Sequence, residues 1–112
     1  MVISGDITTV RLSITGRVQG VWYRGWTVDQ AKALGLAGWV RNFTDGSVEA
    51  LVNGPKDKVD ILIAECHHGP ALARVDNIDV NVVDPPGEGG AFPTREFEQL
   101  QTFEPCKLQK NL

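Results

Sequence analysis

Cysteine is scarce in this chain. There are two in 112 residues, Cys66 and Cys106, far apart. Neither belongs to a CxxC pair, so the sequence offers neither zinc-site spacing nor a disulfide framework. Two isolated thiols read as reduced and structural; spacing alone does not decide whether they meet. Long apolar runs are missing too. The apolar residues make up 42% and are spread along the chain, with no stretch of membrane-spanning length. Residues 1–6 lack the basic segment and apolar run of a secretory signal, which points to the cytoplasm. An excess of positive charge is also absent, the net charge being −3. That argues against a general nucleic-acid surface. It leaves room for one local anion site, since a single Arg and a few backbone amides can hold a phosphate.

The length suits one domain with one core. Residues 9–15 alternate Val10, Leu12 and Ile14 with polar residues, the period of a half-buried strand. Tyr23, Thr27, Ala31 and Leu34 share one face of a helix over 23–34, with Gly35 as its C-terminal cap. Gly25 in the first turn weakens that helix. Residues 36–43 and 47–53 read as strands joined by Asp45-Gly46, a strong hairpin signal. Val59, Leu62, Ile63 and Cys66 define a second amphipathic helix ending near His68, stopped by Gly69-Pro70. Val75, Ile78, Val80 and Val82 alternate over 73–83, with a slip near Asp76-Asn77. Residues 84–94 are a Pro/Gly-rich loop, and 95–103 hold a last short strand. The order predicts an α+β fold: a ferredoxin-like split βαβ sandwich (βαββαβ plus a short extra strand), mostly antiparallel, with two helices on one face. The expected boundaries are an extension over 1–8, a domain over 9–104 and a tail over 105–112.

The informative segment is Gly16-Arg17-Val18-Gln19-Gly20-Val21-Trp22-Tyr23-Arg24, which joins the first strand to the first helix. A helix start leaves amides without intrahelical partners and favours an anion. Gly16 and Gly20 let the backbone curl so that successive amides share a concavity. Arg24 adds a planar guanidinium able to grip two phosphate oxygens.

These nine residues resemble the acylphosphatase motif, glycine-x-Val-Gln-Gly-Val-x-Phe-Arg. Gly38-Trp39-Val40-Arg41-Asn42 is similar to that family's second block, and Asp45 to Ala50 continues the match. Gly69-Pro70 and Ala73-Arg74-Val75 resemble its link to the fourth strand. The resemblance covers about residues 10–80. It implies a metal-free, cofactor-free hydrolase of small acyl phosphates. The amides of Gln19, Gly20, Val21, Trp22, Tyr23 and Arg24, with the Arg24 side chain, would bind the substrate phosphate. Asn42 would orient the attacking water. Arg24 and Asn42 are thus the expected catalytic residues. Tyr23 departs from the family's Phe, and its hydroxyl needs a partner or water.

Competing readings are blander. A glycine loop can merely turn the chain, and Asn42 could merely close a strand before Asp45-Gly46. Arg41 is expected on the other face from Asn42, solvated or ion-paired. Trp39 reads as core and Trp22 as flanking the pocket mouth. His67-His68 reads as helix capping rather than metal binding. A monomer without nucleic-acid or membrane partners is expected. The alternatives are a non-catalytic phosphate- or RNA-binding module, and an acylphosphatase-like domain of a longer carbamoyl-transfer hydrogenase-maturation protein, which the short chain disfavours.

Overall fold

A computed structural model of the chain describes residues 6–83 and 96–102. The loop expected over 84–94, the tail, Arg95, Phe103 and Cys106 lie outside the described residues. The elements are β1 (Ile7–Arg17), α1 (Tyr23–Ala33), β2 (Ala37–Asn42), β3 (Val48–Pro55), α2 (Lys56–His68), β4 (Arg74–Val82) and β5 (Phe97–Gln99). They form one sheet in the order β4-β1-β3-β2-β5. All pairings are antiparallel except that of β5 with β2, which is parallel. This is the expected sandwich with its added strand.

The alternation in the sequence becomes rows across one sheet face. Val10 faces Val52, Leu12 faces Ala50, and Ile14 faces Val48; Val40 continues the Ala50 row. All of these are buried, and they pack with Tyr23, Ala31, Val59, Leu62 and Cys66 from the two helices. Burying one face of each element against the others is the main drive for this layering. The slip near Asp76 is a β-bulge: Thr15 pairs with Asn77, whereas Gly16 pairs with Val75.

Two expectations need correcting. Trp39 is not core; it lies on the opposite sheet face, half-buried, with the Arg41 guanidinium 4.6 Å from its ring centroid. Position 39 alternates with the buried Val40, so strand geometry forces it outward. Of the β4 apolar series only Ile78 is buried, while Val80 and Val82 remain exposed, because β4 is an edge strand with one flank open. The outer face also carries an ion-pair row. Glu49 sits between Arg11 at 3.3 Å and Arg41 at 2.8 Å, so Arg41 is paired as expected.

Candidate active site

Two chain reversals converge at one end of the sheet. The first runs from the end of β1 into α1. Gly20 and Trp22 both adopt positive φ, 74° and 68°, which curls residues 18–22 before the helix begins. No side chain caps the start of α1, and the Trp22 carbonyl accepts the Trp26 amide at 3.0 Å. The first-turn amides therefore keep their hydrogens for a bound group. The second reversal is the β2–β3 hairpin. Asp45 accepts the Ser47 amide and hydroxyl at 2.9 and 2.7 Å, and these bonds hold the Asp45 carboxyl below its usual range.

Gln19 ties the two reversals together. Its Nε2 donates to the carbonyls of Phe43 at 2.6 Å and Ser47 at 2.7 Å. The side chain thus pins the curled loop beside Asn42, while its backbone stays part of the cradle. A motif comparison places Gln19 in the loop; this bridging contact depends on the hairpin's position and is not visible in one sequence.

Between the reversals lies a cavity of about 140 Å3, room for a small tetrahedral anion when each liquid water fills about 30 Å3. Gln19, Gly20, Trp22, Tyr23, Arg24 and Asn42 are among its lining residues, so six of the seven residues expected at the site meet there. Val21 is not among those lining it; its side chain packs against the core, which leaves its amide in the curl. Gln99, from β5, also lines the cavity. No sequence pattern marks Gln99 for the site, because β5 reaches it through its pairing with β2.

Arg24 is the cavity's sole formally charged side chain among the described residues. Its Nη1 donates to the Leu100 carbonyl at 3.0 Å, fixing the guanidinium from the β5 side. Asn42 faces the helices, on the side of the sheet opposite Arg41. It is 9% exposed, and its Oδ1 is buried without a hydrogen-bond partner. Leaving such an acceptor unsatisfied costs about 1–3 kcal/mol, so the site has a place ready for a donor. The Tyr23 hydroxyl turns away from the cavity and donates to the Cys66 carbonyl at 2.6 Å. Burial drives its pKa upward, so it has neither the position nor the acidity for proton transfer here.

Elsewhere among the described residues there is no comparable cluster. Among the described residues no group of three or more His, Cys, Asp or Glu gathers to hold a metal ion, and His67 and His68 sit in the last turn of α2. No helix there is long and apolar enough to cross a membrane.

A curled β-to-α turn with an uncapped helix start and one guanidinium, in a ferredoxin-like sandwich, is suited to hold an anion. The acylphosphatase family model matches residues 10–94. An acylphosphatase of Rhodospirillum rubrum is 55% identical over 73% of this chain and 90% of its own length. One from Rhizorhabdus wittichii is 57% identical over 69% of this chain and 76% of its own. The solved acylphosphatase of Coxiella burnetii superposes with a TM-score of 0.76 at 28% identity, over 85% of this chain and 94% of that one. Full-length HypF also matches, with a TM-score of 0.76 at 26% identity, over 88% of this chain and 12% of that chain. The chain belongs to the acylphosphatase family. With membership comes the activity, hydrolysis of the carboxyl–phosphate bond of acyl phosphates.

Proposed function

We propose that the cavity beside Asn42 carries out this hydrolysis by direct attack of water on phosphorus. The amides of Gln19 to Arg24 and the Arg24 guanidinium hold the phosphoryl oxygens and stabilise the charge they carry as the bonds change. Asn42 Oδ1 accepts a hydrogen from the incoming water and so aims its lone pair at phosphorus. The water oxygen bonds to phosphorus as the bond to the acyl oxygen breaks. The carboxylate leaves without needing a proton, and the water's proton passes to a phosphoryl oxygen. Positioning and preorganised electrostatics supply the acceleration. The observation that carries this reading is the unpartnered Asn42 Oδ1 in a cavity whose formal charge is one guanidinium. The proposed working unit is a monomer, with its domain over about residues 9–104, acting on diffusible acyl phosphates in the cytoplasm.

The test is benzoyl phosphate hydrolysis in EDTA by wild type, Arg24→Ala and Asn42→Ala. Wild type is expected to turn over, and each variant to lose about 10²–10³ in kcat, the scale of removing one transition-state donor or positioner. A folded Asn42→Ala variant with near-normal kcat would remove Asn42 from this role.

A further inference from the structure

The cavity has one wall that phosphate chemistry does not explain. Trp22 is the only non-glycine residue at positive φ among the described residues. That backbone region disfavours bulky side chains. Trp22 is nevertheless 62% exposed, so its own burial does little to offset the strain. An observed outlier of this kind at a ligand cavity points toward function.

The ring lies against the first turn of α1, over Gly25. A Cβ at Gly25 would collide with the indole Nε1 and stand 2.7 Å from Cδ1. Gly25, a poor helix former, thus makes the space in which the ring rests. The other side chains around the cavity offer little apolar surface. Val18 and Tyr23 are each 1% exposed, Gln19, Asn42 and Gln99 are polar, and Arg24 is a cation. Among the described residues, Trp22 is the one large exposed apolar group at this cavity.

In a displacement at phosphorus the acyl oxygen departs roughly in line with, and opposite to, the attacking water. With the phosphoryl group seated in the cradle, the acyl chain extends out through the mouth. We propose that the Trp22 indole is the platform on which that acyl group rests, and that it gives this enzyme a preference for flat aromatic acyl phosphates over acetyl phosphate. The inference rests on acyl-phosphate hydrolysis at this cavity. An aryl ring stacked on indole gains dispersion and quadrupole complementarity that one methyl group cannot match. The contact exists in the bound substrate and persists in the transition state, so it acts on KM more than on kcat.

The test compares kcat and KM for benzoyl, cyclohexanecarbonyl and acetyl phosphate in wild type, Trp22→Ala and Trp22→Phe. Any disturbance of the cradle by the substitution moves all three substrates alike and cancels in the ratio of their kcat/KM values. The benzoyl-to-acetyl ratio is expected to fall roughly three- to tenfold in Trp22→Ala, mostly through KM. It should recover in Trp22→Phe, and the saturated ring should show a smaller drop. An unchanged ratio in Trp22→Ala, or a Trp22→Phe ratio as low as that of the alanine variant, overturns the platform and leaves the hydrolysis intact. A folded wild type that hydrolyses none of the three overturns both.

Discussion

Pro70 cannot donate a backbone hydrogen, and the carbonyl of Cys66 sits four residues before it in α2. The helix therefore has an acceptor near its end with no donor in the usual place. Tyr23 supplies one from α1, which gives the hydroxyl that departs from the family's Phe a buried partner. The arrangement buries two weak acids side by side. Burial pushes the Cys66 thiol up to about 12, and burial first, then the neighbouring Cys66, raises the Tyr23 phenol as well. Both folded pKa values lie above the unfolded ones, so above about pH 9 the unfolded chain releases protons that the folded chain keeps. The stability from these groups is complete below the unfolded values and is lost as pH rises through the folded ones. The unfolding free energy measured in urea is expected to be flat on this account up to about pH 9 and then to fall, by as much as about 1.4 kcal/mol per pH unit for each group. Tyr23→Phe should cost about 1 kcal/mol at neutral pH for the lost hydrogen bond and make the decline above about pH 10 shallower. An equally steep decline in that variant would show that the phenol does not contribute.

Among the elements, β2, like β1 and β3, is paired along both edges. Gly38 sits at φ +136°, and a Cβ there would run into the backbone carbonyl of Leu51 on β3, an atom that cannot swing aside. The Gly38 amide also donates to the Glu96 carbonyl at 3.0 Å, so a shift of β2 would disturb β5 too. Gly46, in the hairpin, has φ +99° but open space around it. Gly38→Ala is therefore expected to cost about 2–4 kcal/mol in urea unfolding, and Gly46→Ala only about 1 kcal/mol. Equal losses would mean that the backbone contact at Gly38 is relieved cheaply. These strands also show what a sequence can reveal. Alternation marked β1, and Asp45-Gly46 marked the hairpin of β2 and β3, because local period and turn chemistry determine them. That Gln19, Gly20, Trp22, Tyr23 and Arg24 gather at one cavity was legible because they are nearly consecutive in the chain. What stayed hidden depends on contacts between distant segments: the Gln19 bridge, the Leu100 anchor on Arg24, and the ring of Trp22 over Gly25. Gly25 read as a defect in the helix until its neighbour's position was known. Trp39 read as core because a large aromatic usually is, and the parity of β2 overrode that preference.

At the scale of the whole molecule, β5 links stability to the site. It is three residues long and, among the described residues, pairs only with β2, so it has little hydrogen bonding of its own. Phe97, 3% exposed, roots it in the core. Past its end, the Leu100 amide donates to the Val40 carbonyl at 2.8 Å, and the Leu100 carbonyl receives Arg24. The anchor of the guanidinium therefore depends on an apolar side chain three positions away. Leu36, 1% exposed and packed against Gly54, has no such link to the cradle. Phe97→Ala and Leu36→Ala are both expected to lose roughly 3–5 kcal/mol, measured by urea unfolding. Their kinetics should differ. At a temperature where both remain folded, Phe97→Ala is expected to raise KM for acetyl phosphate about tenfold, because in the role proposed for Arg24 an unanchored guanidinium must be reordered on binding phosphate. Leu36→Ala should leave KM within about twofold of wild type. If the two variants show the same KM at matched stability, Arg24 is held well enough by the cradle alone, and β5 serves only to cover the open edge of β2.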